Sequence, residues 1–324
     1  MKEAAAIKKA VLGAKTALVA SHIDPDGDSI GSMLALGMIL SGMGVTVDFF
    51  SHDGVPKIYR FLTGADKVRR VPRANRIYDI LFAVDSSDLS RLGKVTSLHN
   101  ISRTIINIDH HPDNTLYGGI NYVEKVSCTA ELIYKLAKHL NIKINRPIAE
   151  NLYVALITDT GNFRYENTSV ETFVMAGNLI RAGVNTHRIS TQIYDTKSQA
   201  SIRIQAAALS QMEISAEGKF AWVAVSEKMM KDAGAKSEDL IGLVDQIRSI
   251  EGVEVAVLFR QDHDRVKVNF RSKHKINVSE IAKQLGGGGH IRAAGAIISG
   301  KLDEVTKKVL PEIQKYLKAA KYLA

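Results

Sequence analysis

Residues 16–44 read TALVASHIDPDGDSIGSMLALGMILSGMG. Thr16–His22 is a short apolar run, which predicts a buried strand. From Ser29 onward the apolar residues fall at helical spacing and the run stops on glycines, which predicts a helix. Between strand and helix lie His22, Asp24, Asp26 and Asp28. Three carboxylates that close together repel, so something must neutralise them.

The same alternation continues outward from this unit. VTVDFFS is strand-like, VPKIYRFLTG helical, and YDILFAVD (Tyr78–Asp85) and RTIINIDHH (Arg103–His111) are buried strands. CTAELIYKLAKHLN, PIAENLYVALITD and VETFVMAGNLIRAG then read as helices. Strands alternating with helices imply an α/β fold with a mostly parallel sheet covered on both faces. A polar helical stretch follows, and beyond it FAWVAVS, VEVAVLFRQ and DRVKVNFRS are strand signals, the last two forming a hairpin about DHD. NVSEIAKQLG is a short helix capped by Asn277 or Ser279. The expected organisation is an α/β domain over 1–188, a helical linker over 189–207 and a smaller α+β domain over 208–324.

At 324 residues the chain exceeds the usual single-domain size. It contains no stretch approaching the roughly 20 apolar residues of a membrane helix, and its N-terminus lacks the apolar segment of a signal peptide. A single cysteine, Cys128, excludes an internal disulfide and a cysteine-based zinc cluster. The expected home is a reducing cytoplasm. The net charge of +9 favours an anionic partner. Residues 1–188 hold 22 Lys or Arg against 18 Asp or Glu, a net +4, and the 136 residues beyond hold 21 against 16, a net +5. The shorter part is the more basic per residue.

In open α/β sheets ligands bind beyond the carboxyl ends of the strands. Strand ends here deliver His22, Asp26 and Asp28, then Asp85, then Asp109, His110 and His111, and the apolar run LYVALITD ends at Asp159. Each motif alone could be a solvated turn or a helix cap. Their convergence in this order points to metal binding. Mixed carboxylate and imidazole donors suit Mn²⁺ or a similar first-row ion. A pair of such ions clamps an in-line displacement at phosphorus and lowers the pKa of a water. Cations would thus make the three aspartates tolerable.

HIDPDGD, Asp85 after its strand, DHH at Asp109–His111 and TDTGNF at Asp159 together resemble the four motifs of the DHH phosphoesterase superfamily. GGGGH, ending at His290, resembles the glycine-rich motif of the associated DHHA1 domain. The resemblance spans nearly the whole chain and is nearest to the bifunctional oligoribonuclease (nanoRNase) and 3′-phosphoadenosine-5′-phosphate (pAp) phosphatase subgroup. It implies a DHH domain and a DHHA1-type domain with the active-site cleft between them. It also implies one metal on His22, Asp26 and Asp85 and another on Asp28, Asp85, His110 and Asp159, with Asp85 bridging. Mn²⁺ is the expected ion, with Mg²⁺ or Co²⁺ as alternatives. His111 would face the scissile phosphate as an acid or electrostatic stabiliser, with Asp109 orienting an imidazole. Asp24 stands where asparagine is more usual.

LGGGGHIRAAG (Leu285–Gly295) offers backbone N–H groups for a concave anion site. With NFRSKH before it, the DHHA1 resemblance implies substrate contacts from Arg271, Ser272, Gly287, Gly288, Gly289 and His290. The expected partners are short RNA and pAp, with no membrane and a homodimer as a further expectation. Two alternatives stand beside the nanoRNase and pAp phosphatase reading. One is a cyclic dinucleotide (c-di-AMP/pApA) phosphodiesterase of the same superfamily. The other is a non-catalytic nucleic-acid-binding protein, which gives no reason for clustered metal ligands. The absence of a GKT-type loop gives no support to nucleoside triphosphate hydrolysis.

Overall fold

The computed structural model describes residues 2–73, 76–93, 101–274 and 276–319, and the side chain of His290 lies outside that description. The chain divides into two compact units, Met1–Asp195 and Thr196–Ala324. The division falls inside the segment expected as a linker. That segment forms two helices, one in each unit.

In the first unit the elements run α1 (Lys2–Leu12), β1 (Thr16–Ser21), α2 (Gly27–Gly42), β2 (Thr46–Phe50), β3 (Val68–Arg69), β4 (Tyr78–Val84), β5 (Ser102–Asp109), β6 (Ile120–Val123), α3 (Thr129–His139), α4 (Arg146–Asp159), α5 (Val170–Arg181) and α6 (Thr186–Tyr194). The six strands form one sheet in the order β3-β2-β1-β4-β5-β6, and every pairing is parallel. The order reverses direction between β1 and β4, and ligands of doubly wound sheets bind at such a switch point. Both faces are buried, with the two-residue alternation of a strand. Ala17 and Val19 pack with α1, α2, α3 and α4 in the main core. Leu18 and Ala20 join Phe50, Leu81, Ala83 and Leu92 in a smaller core on the other side. The helix expected in VPKIYRFLTG is corrected: only a single 3₁₀ turn, Lys57–Tyr59, forms there. Pro56 stands just before it and supplies no N–H to a longer ladder.

The second unit contains α7 (Gln199–Leu209), β7 (Glu213–Ile214), β8 (Phe220–Val225), α8 (Glu227–Asp232), α9 (Leu243–Arg248), β9 (Val255–Asp262), β10 (Arg265–Ser272), α10 (Val278–Gln284), β11 (Gly288–His290), β12 (Ala293–Ser299) and α11 (Leu302–Ala319). Its sheet runs β11-β12-β10-β9-β8-β7, antiparallel except for the β8–β9 pair. Val305, Val309, Ile313 and Leu317 of α11 cover one face together with α10. Residues of α7 and α9 cover the other. The hairpin forms as expected, with Asp262 opposite Arg265 and His263 in the left-handed region at φ +57°. Asn277 caps α10 through Ser279 N–H. Among the described residues no helix is long and apolar enough to cross a membrane.

Candidate metal centre

The carboxyl ends of β1, β4 and β5 deliver His22, Asp85 and Asp109-His110-His111 to one edge of the parallel sheet. Asp26 caps α2 by accepting from Ser29 N–H, and Asp28 sits in the first turn of the same helix. Asp159 is the last residue of α4. A carboxylate at a helix C-terminus meets the negative end of the helix dipole, which disfavours its charge and which a nearby cation offsets. Two glycines bring α2 and α4 together. A Cβ on Gly27 would lie 2.3 Å from Thr158 Oγ1, and one on Gly31 would lie 2.4 Å from Asn151 O. Only glycine permits this approach, which places Asp28 beside Asp159.

The donor atoms fall into two sets that meet at Asp85. His22 Nε2 lies 3.5 Å from Asp85 Oδ2 and 3.9 Å from Asp26 Oδ1. His110 Nε2 lies 3.6 Å from Asp85 Oδ1, 3.7 Å from Asp159 Oδ2 and 3.9 Å from Asp28 Oδ2. Within each of His22–Asp26–Asp85 and Asp28–His110–Asp159, one donor atom per residue lies within 4.8 Å of the others, a spacing able to hold an ion. Imidazole tautomers are set for this. His22 Nδ1–H donates to Ile23 O at 2.7 Å, and His110 Nδ1–H to Val126 O at 3.3 Å. A carbonyl only accepts, so each Nδ1 carries a proton, and each Nε2 is the nitrogen left to bind an ion once its own proton is displaced.

His111 is held differently. Its Nδ1–H donates to Asp109 Oδ1 at 2.7 Å, and Asp109 Oδ2 accepts from Asn114 Nδ2 at 2.6 Å. Asp109 is fully buried and orients His111. Asp85 itself occupies the left-handed region at φ +59°. For a non-glycine residue this stores about 1–3 kcal/mol, a strain that clusters at functional sites.

Burial and crowding shift the protons of this cluster. Burial favours the neutral acid of Asp28, and the charges of Asp85 and Asp159 add to it, so its carboxyl is pushed well above the usual range. Burial likewise raises Asp159 to about 7, against the opposing charge of His110. Burial would lower His110, but Asp159, Asp85 and Asp28 outweigh it and raise its imidazolium to about 10. His22 is raised to about 8 as Asp85 and Asp26 outweigh its burial. Burial alone would raise Asp85, but the His22 hydrogen bond and the charges of His111, His22 and His110 hold it well below the usual carboxylate range. Protons thus occupy a cavity of donors whose charge and chemistry fit divalent cations, and the residues present fit such ions.

Thr129 joins the centre although it belongs to none of the sequence motifs. Its Oγ1 donates to Asp85 Oδ1 at 2.8 Å and its N–H to Asp28 Oδ2 at 2.6 Å. Ala130 N–H adds a bond of 3.1 Å to Asp28 Oδ1. The N-cap of α3 is Cys128, whose side chain makes no capping bond, so Asp28 serves the open helix N-terminus instead. A helix beginning without a capping side chain is the one local signal for this.

In the second unit the expected substrate residues separate. Ser272 is corrected: it is fully buried, and its hydroxyl donates to Ile276 O at 2.7 Å. It lies on the core side of β10 with Phe270, whereas Arg271 lies on the opposite side. Arg271 Nη1 donates to Phe270 O, and Nε stands 3.8 Å from Asp245 Oδ1. The glycine run is not an open loop. Gly288, Gly289 and His290 form edge strand β11, in register with Gly295, Ala294 and Ala293 of β12. A Cβ on Gly287 would fall 2.0 Å from Gly295 O, and one on Gly289, at φ +136°, would fall 2.6 Å from Ala293 O. Gly288 alone of these three has open space. Arg271 and His290 are both in register with Ala293, from opposite sides.

Residues 16–156 match the DHH family N-terminal domain, and residues 217–319 match the DHHA1 domain. A Thermus thermophilus protein named bifunctional oligoribonuclease and PAP phosphatase NrnA is 33% identical over 331 residues, covering 100% of this chain and 96% of its own length. The chain belongs to the DHH family. An exopolyphosphatase-related protein from Bacteroides fragilis superposes with a TM-score of 0.92 at 24% identity, over 99% of this chain and 98% of its own. The exonuclease RecJ, solved bound to manganese, shares the fold with a TM-score of 0.52 at 16% identity, over 97% of this chain and 93% of its own.

Proposed function

We propose that this DHH-family chain is a metal-dependent phosphoesterase that hydrolyses short oligoribonucleotides to mononucleotides and removes a phosphate from pAp. One observation carries the reading: two ligand sets, His22–Asp26–Asp85 and Asp28–His110–Asp159, lie side by side about Asp85. The naming of the Thermus relative supports the substrate class, and the manganese in RecJ supports Mn²⁺ as the ion. When bound, two divalent cations would supply Lewis-acid stabilisation of the phosphoryl oxygens and an acidified water.

The chain's own residues do the rest. Asp85 holds a position between both ligand sets, fixed by the Thr129 hydroxyl and by its own N–H donating to Ile108 O at 3.0 Å. Asp109 keeps Nδ1 of His111 protonated and supports the imidazolium. Nε2–H of that imidazolium is then the proton delivered to the departing oxygen as the P–O bond breaks, while water adds to phosphorus. Arg271 on β10 and the Gly288 segment of β11 recognise a distal phosphate or base, with arginine suited to bidentate phosphate contact.

The test is a panel of pAp, di- to pentaribonucleotides, c-di-AMP and pyrophosphate at fixed Mn²⁺. Mononucleotide release from RNA and phosphate release from pAp are expected. Turnover of c-di-AMP alone would transfer the site to the cyclic dinucleotide class. Binding of RNA with no turnover under Mn²⁺, Mg²⁺ or Co²⁺ would reduce the protein to a binding module.

A further inference from the structure

Lys67, Arg69, Arg70, Arg73 and Arg76 fall within ten residues. Of these, Arg69 ends β3, the outer strand of the parallel sheet. Because β3 runs parallel to β2 and β1, its carboxyl end opens on the same sheet edge as the metal ligands. Two of these cations are already neutralised: Arg73 Nε lies 3.1 Å from Asp48 Oδ1, and Arg76 Nη1 lies 2.9 Å from Asp48 Oδ2. Arg69 and Arg70 are exposed, and among the described residues neither is ion-paired to a carboxylate.

Their surroundings tie them to the candidate centre. Arg70 Nε donates to His52 O at 3.3 Å, and its Cγ lies 3.3 Å from where a Cβ on Gly54 would stand. The same 51–54 turn meets the loop of His22 and Asp26, because Asp53 Oδ2 accepts from Asp24 N–H at 2.7 Å. Ile23 N–H in turn donates to Arg91 O at 2.7 Å, which closes a continuous rim along the sheet edge. Arg69 sits two strands out from β1. Its register partner is Phe50 of β2, itself in register with Ala20 of β1, so at about 4.8 Å per strand its backbone stands about 10 Å across the sheet from Ala20, two residues before His22. A stacked strand advances roughly 3.4 Å per phosphate, so the patch is placed for a phosphate about three nucleotides from the scissile one. Unneutralised arginines beside a phosphoesterase centre, with no acidic partner of their own, suit a sugar–phosphate backbone.

We infer that Arg69 and Arg70 form a second phosphate subsite, which engages the backbone of RNA substrates longer than a dinucleotide. The inference rests on the oligoribonucleotide reading above. It assigns to the N-terminal unit a hold on the substrate independent of Arg271, and it makes chain length a property read at the sheet edge.

The experiment compares wild type, Arg69→Ser and Arg69→Ser/Arg70→Ser on pAp, a diribonucleotide and a pentaribonucleotide, between about 50 and 200 mM salt. The double variant should lose about tenfold in kcat/KM on the pentanucleotide, as expected for two exposed, salt-screened charge contacts of about threefold each. Its slope of log(kcat/KM) against log[salt] should flatten by about 0.7 per phosphate released. pAp and the dinucleotide should stay within about twofold, since neither reaches the patch. Arg69→Ser, which disturbs no hydrogen bond of the 51–54 turn, should show a smaller loss in the same direction. Equal losses on all three substrates, or no loss on the pentanucleotide in either variant, would overturn the subsite. Anisotropy of a labelled pentanucleotide, measured without turnover, separates this from the reading beneath it. Wild-type binding that the double variant retains overturns the subsite even if hydrolysis fails, and absent wild-type binding overturns both.

Discussion

Thr129→Val removes one hydroxyl and keeps nearly everything else. Valine preserves the β-branched shape, and the backbone N–H that Thr129 donates to Asp28 at 2.6 Å is untouched. The hydroxyl lost is the donor to Asp85 Oδ1 at 2.8 Å. Asp85 is buried, sits in a strained backbone conformation and stands between both ligand sets. A hydrogen bond to a charged group contributes about 1.5–3 kcal/mol, which corresponds to roughly ten- to a hundredfold in an equilibrium constant. Partners that orient metal ligands characteristically cost that much in metal affinity or activity when removed. Mn²⁺ titrations of turnover, with calorimetric metal binding beside them, should show the loss mainly as weaker metal affinity. Thr129→Ser restores the hydroxyl and should recover most of it. A valine variant that binds metal and turns over within about twofold of wild type would refute the role. A serine variant as impaired as valine would show that the methyl packing, not the hydroxyl, matters.

His111→Ala should keep its metals while turnover falls by about 10²–10⁴-fold, the range for loss of a general acid, and metal analysis beside kinetics checks both halves. Arg271→Ala should raise KM for pAp and for a dinucleotide by roughly ten- to a hundredfold yet barely alter hydrolysis of bis-p-nitrophenyl phosphate, which offers no second phosphate. Gly287→Ala drives a methyl to within 2.0 Å of Gly295 O and should destabilise the protein by about 1–3 kcal/mol, whereas Gly288→Ala meets open space and should melt close to wild type.

Local patterns carried the first unit well. β1, β4 and β5 were legible as apolar runs, and each ended in candidate ligand residues that the structure gathers at one edge. Parallel strands buried on both faces leave that signature because neither side needs polar residues. Contacts between distant segments were not legible. Thr129 reaches Asp28 across 101 positions, and nothing in TAELIYK announces it. Gly27 and Gly31 carry no local mark of their role, yet they set the approach of α2 to α4. GGGGH looked like a phosphate-cradling turn. Its pairing with β12 shows that Gly287 and Gly289 answer a steric demand from the neighbouring strand, a property of the partner rather than of the run itself. Ser272 failed for a related reason: next to Arg271 on one strand, it necessarily faces the opposite side of the sheet.

The central claim is that two cations share Asp85. Anomalous diffraction from crystals grown with Mn²⁺ tests it directly. The account predicts two peaks about 3.5–4 Å apart, one contacted by His22 and Asp26, the other by Asp28, His110 and Asp159, with an Asp85 oxygen on each. A single peak, or two peaks of which one does not touch Asp85, would contradict it.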